Sequence, residues 1–257
     1  MARRPKLEFN KRRLRGFSGN QLKMIACFLM ICDSIGFVLI ENGMLYGQNP
    51  DYWALALSSP LGARLYALAR VLRIIGRLAF PIYAYLLVEG FQHTKDLRHY
   101  ERRVLLLALC SEIPFDLALR GQLVYTGYQN VCFTLFLGLC CMELMQRARK
   151  LPLVVSFLIT ALFCALGWLL RADYGAAGIL LISILWLLRQ DHVPQLLLGA
   201  AVSAAESLRM SGVSALSFLL LRFYNGKRGS APLTAFFYLI YPLHFLIFYL
   251  LIYLGNR

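Results

Sequence analysis

The run from Met24 to Ile40, MIACFLMICDSIGFVLI, is long enough to cross a bilayer as a helix, and its only ionisable carboxylate is Asp33. A transmembrane helix needs roughly 17–25 mostly apolar residues. Further apolar runs follow to the end of the chain, separated by short basic stretches. The 257 residues are 59% hydrophobic and 16% charged, with a mean hydropathy of +0.60; a soluble domain is nearer ~25% charged. The expected fold is therefore all-α, a polytopic transmembrane bundle. The expected division is a basic cytoplasmic segment, 1–21, followed by a single bundle, 22–257. Nine spans are expected at 22–41, 72–91, 104–119, 129–147, 151–170, 175–189, 194–208, 211–223 and 233–254. Several are short enough to be tilted, re-entrant or half-spanning. Residues 60–71, PLGARLYALARV, are amphipathic and suit an interfacial helix, or a tenth element before the second span.

The net charge is +14, which in a soluble chain would suggest nucleic acid. Here the cations sit between apolar runs, without the aromatic interleaving of a nucleic-acid surface, so they report topology and no nucleic-acid partner is expected. With the N-terminus inside, inner segments collect the basic groups at 3–15, 95–103, 147–150, 189 and 222–228, whereas outer segments hold Arg64, Arg120, Arg171, Arg209 and Arg257. That bias places the N-terminus in the cytoplasm. The long basic head before a full-length apolar run reads as a retained first span, not a cleaved signal. The seven cysteines all fall in apolar runs and show no metal-ligand spacing, so free thiols packed between helices are expected, and no metal.

Ionisable residues at membrane depth are costly and face a bundle interior or a cavity. The chain has Asp33 in the first span, Arg73 and Arg77 around the second, and Glu112 and Asp116 in the third. Measured at ~1.5 Å per residue from the span ends, all five fall within one or two turns of the same depth. Arg73 and Arg77 are four apart and share a face, as do Glu112 and Asp116. One shared cluster of two cations and three carboxylates is expected, either as a structural clasp or as a polar cavity handling a substrate or proton. Pro81, Pro114 and Pro242 are expected to interrupt their spans, which favours a cavity. His244, in YPLHFL, lies at a similar depth to Asp33 and is a candidate for proton transfer.

At the inner side, Glu89 and His93 share a face and are followed by Lys95 and Arg98; this is a phosphate-contacting edge or an ordinary basic loop. The loop YNGKRG, with Tyr224, Asn225, Lys227 and Arg228, could receive an anion through backbone N–H groups and cations, or be a topology-setting turn. No Walker, GxGxxG, GxSxG or zinc pattern occurs.

The block GRLAFPIYAYLLVEGFQHTKDLRHYERRVLLLALCSEIPFD at 76–116, followed by QNVCFTLFLGL at 129–139, resembles the TraX family of bacterial membrane proteins. LKMIACFLMICDSIG at 22–36, DYG at 173–175, YNGKRG at 224–229 and YPLHFLIFYL at 241–250 match its other landmarks in order. The family's namesake acetylates the N-terminus of conjugative pilin, and the layout is similar to membrane acyltransferases that draw on cytoplasmic acetyl-CoA. The resemblance implies an inner-membrane acetyltransferase with acetyl-CoA as co-substrate and a protein N-terminus or envelope glycan as acceptor. It implies a polar acyl-transfer cavity at Asp33, Ser34 and His244 with Arg73, Arg77, Glu112, Asp116 and Asn130. The CoA anion would lie against Glu89, His93, Lys95, Arg98, Tyr224, Asn225, Lys227 and Arg228. One departure stands out: the family usually has His where this chain has Ser34, and a hydroxyl alone is a poor base. Asp33 or His244 takes the proton instead, or Ser34 disables turnover, or this member binds without catalysing. A transporter or flippase, and a non-catalytic membrane partner, remain the alternatives; a homodimer is left open.

Overall fold

The computed structural model describes residues 16–229 and 234–255; residues 1–15 of the basic N-terminal segment lie outside them. The described residues form a helical bundle with no strands. Helix α1, Gly19–Ser34, opens on a capping box in which Ser18 and Gln21 each accept the other's backbone N–H. This satisfies two of the donors that a helix start leaves free. Past Ser34 the same helix widens into a π-helical stretch, Ile35–Met44. Such widened turns cluster at functional sites, and this one begins two residues beyond Asp33.

Next come α2, Pro50–Ser58, capped by Asn49, and α3, Pro60–Gly76, capped by Ser59. Neither the sequence pattern nor the span assignment anticipated α2. The second expected span, 72–91, starts too late: α3 already runs from Pro60 and absorbs the segment read as interfacial. The chain then breaks at Arg77–Leu78 and resumes as α4, Ala79–His93. Pro81 explains the break, because a proline leaves the carbonyl four residues earlier, that of Arg77, without its helical donor. Pro114 and Pro242, by contrast, sit inside the continuous helices α5, Leu97–Arg120, and α11, Thr234–Gly255.

The remaining elements are α6, Val131–Arg147, α7, Leu153–Leu169, α8, Gly175–Leu187, α9, His192–Glu206, and the short α10, Ser217–Leu221. The expected span at 211–223 is not a single helix. It is a 3₁₀ turn, Val213–Leu216, leading into α10, whose five residues rise about 8 Å against the ~30 Å of a bilayer core. Together α9 and α10 make a hairpin that returns to the end of the bundle from which it started. At that end Gln195 donates to the Leu185 carbonyl, and the Phe17 and Asn225 N–H groups bond to the Phe223 and Phe17 carbonyls.

Among the described residues, three helical stretches are long and apolar enough to cross a membrane: Gly19–Met44, Pro60–His93 and Ala235–Gly255; α7 and α8 are shorter apolar helices. Two apolar clusters organise the interior. Leu22, Ile82, Leu139, Met142, Ile179 and Leu185 join α1, α4, α6 and α8. Val38, Phe115, Leu119, Tyr241 and Phe245 join the π stretch, α5 and α11. The described cysteines are free thiols; most are buried, but Cys110 is exposed.

Two glycines set how closely α1 and α3 approach. A Cβ on Gly76 would lie 2.3 Å from the Cβ and 2.7 Å from the Cα of Asp33, and one on Gly36 would lie 2.9 Å from the Ala69 carbonyl oxygen. Because backbone cannot yield as a flexible side chain does, Gly76→Val is expected to cost at least the ~1–3 kcal/mol typical of overpacking. Gly255→Val, where a Cβ meets open space, is expected to leave the melting temperature in detergent nearly unchanged.

Candidate functional site

Where the two apolar clusters meet, a cavity of about 210 Å³ opens. Its polar wall is made by Asp33 and Ser34 of α1, Arg73 and Arg77 of α3, Tyr128, and the Asp173–Tyr174 turn before α8. Gly76 is what permits this: it lays the end of α3 against Asp33, so Arg73 reaches the carboxylate and Arg77 lines the same cavity. The Arg73 Nε lies 3.9 Å from Asp33 Oδ1, while its Nη1 donates to Glu41 Oε2 at 2.7 Å. Its guanidinium also covers the Phe37 ring at 4.5 Å. Arg77 lies 3.9 Å from Glu206 at the end of α9, and its guanidinium is 5.4 Å from the Tyr174 ring centre, which in turn stacks on Phe80.

Asp173 is held by the Tyr128 hydroxyl at 2.6 Å and by its neighbour's N–H, and its carbonyl accepts from the Thr134 hydroxyl. Among the described residues, Asp33 Oδ1, Arg73 Nε and Arg77 Nε are buried polar atoms without a hydrogen-bond partner. Buried polar groups are nearly always bonded. An acceptor and two donors without partners, on residues that line one cavity, suit a site that receives a polar ligand.

Behind this wall, Ser34 Oγ lies 3.1 Å from Nε2 of His244 on α11, and the His244 Nδ1 lies 3.0 Å from the Ile240 carbonyl. Thus Asp33, Ser34, His244, Arg73 and Arg77 come together. Glu112, Asp116 and Asn130 do not join them. Asn130 caps α6 and donates its side-chain amide to Glu112 and to the Ala108 carbonyl. Asp116 accepts the Tyr125 N–H at 2.7 Å. The expected five-charge cluster is corrected accordingly: the shared face of Glu112 and Asp116 looks onto α6 and the 121–130 loop, and Leu107, Phe115 and Leu119 are the α5 residues that reach the cavity.

A second cavity, of about 340 Å³, shares Phe37, Phe115, Leu119 and Tyr128 with the first and opens among Asn42, Gln48, Asp116, Arg120 and Tyr125.

The residues expected at the inner side divide. His93, Lys95 and Arg98 are exposed, with His93 Nδ1 bonded to the Glu89 carbonyl. In YNGKRG, the backbone does something sequence reading missed: the carbonyls of Lys227 and Arg228 accept the Gly19 and Asn20 N–H groups at the start of α1. The loop therefore caps a helix through its carbonyls, and its Lys227 N–H is taken by Asn225 Oδ1. Burial, and next the Glu89 carboxylate, push the Tyr224 phenol up to about 12, so it stays protonated and bonds to Glu89.

Two cations went unnoticed in the sequence. The Lys23 ammonium lies 5.7 Å over the Phe237 ring, and the charges that bear on it most are Arg228 and Arg103. Arg103 lies between Tyr100 and Tyr238, with its Nε buried and unbonded. Phe237 also lines the first cavity, so one aromatic ring separates Lys23 from it.

A helical membrane protein with a charged, ligand-sized cavity beside its first helix is the class these features define. The chain belongs to the TraX family: the profile described as TraX protein matches residues 18–252. A similar protein of Dichelobacter nodosus, described as "Probable fimbrial assembly protein FimC, serogroup H1", is 27% identical over 254 residues, covering 89% of this chain and 93% of that protein. No solved structure matches.

Removing one member of a buried ion pair strands the other at a typical cost of 3–5 kcal/mol. Glu41→Ala is expected to lower stability by about 3 kcal/mol in thermal or denaturant unfolding, and Glu41→Ala combined with Arg73→Met should recover most of it. Asn130→Ala, which leaves Glu112 and the Ala108 carbonyl without their shared donor, should cost about 1–3 kcal/mol.

Proposed function

We propose that the chain is a multi-pass protein of the bacterial inner membrane that transfers an acetyl group from cytoplasmic acetyl-CoA to an acceptor presented from the opposite side. The observation that carries this reading is the polar wall of one cavity, on which Asp33, Arg73 and Arg77 each keep a buried side-chain atom without a hydrogen-bond partner. A thioester carbonyl develops negative charge as it is attacked, and fixed donors in a dry site are the strongest means of stabilising it. The two arginine Nε groups supply such donors, and Asp33 supplies an acceptor for the attacking N–H or O–H.

The two ends of the bundle suit two substrates. Lys23 and Arg103 lie beside Phe237 and Tyr238 at the end that the basic residues assign to the cytoplasm, and they suit the phosphates of CoA. From Lys23 to Asp33 is ten residues of helix, about 15 Å, a span for an extended pantetheine arm. His93, Lys95 and Arg98 then serve only as an exposed basic rim. At the other end the second cavity offers Asn42, Gln48 and Asp116 to a polar acceptor. The fimbrial assembly relative supports a pilus-related protein acceptor, such as a pilin N-terminus; an envelope glycan is the other candidate from the family resemblance.

Thermal shift of the detergent-solubilised chain tests donor binding. Acetyl-CoA at a hundred times its Kd should stabilise it by ~2.7 kcal/mol, and Lys23→Ala with Arg103→Ala should abolish the shift. Asp33→Asn should keep the shift yet lower acetyl transfer by about 10²–10⁴-fold. No shift at millimolar acetyl-CoA would remove the reading.

A further inference from the structure

We propose that the acetyl group passes through a covalent ester on Ser34, with His244 as the base that activates it. The inference rests on the acetyl-CoA reading above and concerns what happens inside the same cavity. Ser34 closes α1 where the helix widens, is buried, and lines the cavity. Its Oγ is within hydrogen-bond reach of His244 Nε2, at 3.1 Å.

The direction of that bond follows from the other ring nitrogen. His244 Nδ1 faces the Ile240 carbonyl at 3.0 Å. A carbonyl only accepts, so Nδ1 carries the hydrogen. In the neutral ring Nε2 then holds the lone pair, and the Ser34 hydroxyl donates to it. Nucleophile, base, and a third group that orients the base are thus in line, with a backbone carbonyl in the place a carboxylate takes in serine hydrolases. Tyr241, Phe245 and Phe248 pack around the imidazole, with the Phe245 ring centre 4.0 Å away. They exclude water and hold the ring in register.

This geometry changes what the serine can be. As a base in place of a histidine it would be ineffective, but as a nucleophile beside a histidine on another helix it is well placed. The step balances. Ser34 Oγ attacks the thioester carbonyl carbon while its proton moves to His244 Nε2. The C–S bond breaks, and the leaving sulfur takes that proton to become the free thiol. In the second half, the acceptor's N–H or O–H attacks the Ser34 ester, the C–Oγ bond breaks, and the acceptor proton passes through His244 to Ser34 Oγ. Arg73 and Arg77 would offer their free Nε donors to the oxyanion in both halves.

The direct test needs no acceptor. The full chain in detergent is incubated with radiolabelled acetyl-CoA, quenched, and analysed by peptide mass spectrometry. One acetyl group per chain is expected on the peptide holding Ser34, released by hydroxylamine, absent in Ser34→Ala and formed at least tenfold more slowly in His244→Gln. Ser34→Cys should carry the acetyl as a thioester. Thermal shift by acetyl-CoA in each variant reports retained fold and donor binding. Thiol release in Ser34→Ala at the wild-type rate, with no label on the wild-type protein, would overturn the covalent route while leaving acetyl transfer intact. Loss of donor binding in the wild type would overturn both.

Discussion

The contact on which the site depends is the approach of α3 to Asp33, made through a glycine. With Gly76 against the Asp33 backbone, Arg73 and Arg77 are brought to the same cavity as a carboxylate on another helix. Each charge then needs its own means of support. Arg73 takes Glu41, and Arg77 takes Glu206 and the face of Tyr174. Asp33 receives no close hydrogen bond. The arginines are thus anchored from behind, through their outer atoms or their flat faces, and each keeps an Nε in reserve beside the cavity. Buried pairs of this kind add little stability compared with an apolar core. Their value here is an electrostatic field kept in place without the ligand.

The helix irregularities serve the same arrangement. Pro81 ends α3 at Arg77, so that residue sits at a break and not on a helix flank. The π stretch after Ser34 turns Phe37 and Glu41 toward Arg73. The α9–α10 hairpin, too short to traverse a bilayer, brings Glu206 into the interior and returns the chain to cap the start of α1. Residues far apart in sequence, from the beginning, middle and end of the chain, therefore depend on one another at a single level of the bundle.

Much of the fold was legible because apolar runs of bilayer length and basic loops are strong signals. So were the central residues: Asp33, Arg73, Arg77 and His244 stood out because charge is costly at depth. What failed is equally physical. A spacing of four shows that Glu112 and Asp116 share a face, but not which neighbour that face meets; α5 turns it to Asn130 and Tyr125. Glu41 and Glu206 drew no notice, although a lone carboxylate inside the apolar run 194–208 was a usable signal. Asp173 and Tyr174 were visible only as part of a family landmark. Lys23 was passed over and Arg103 only counted among the inner basic residues, and the packing of α1, α5 and α11 is what sets them near each other. The Ser34–His244 bond joins residues 210 positions apart, which no local pattern reveals.

A cryo-electron microscopy map of the detergent-solubilised chain with bound acetyl-CoA is the most direct test that the charged cavity is a thioester site. The account predicts phosphate density against Lys23 and Arg103, with the pantetheine arm running along α1 and the acetyl carbon beside Ser34, its oxygen facing Arg73 and Arg77. Density elsewhere, or a cavity closed by Asp33 turning away from Arg73 and Arg77 with hydrocarbon side chains packed between them, would contradict it.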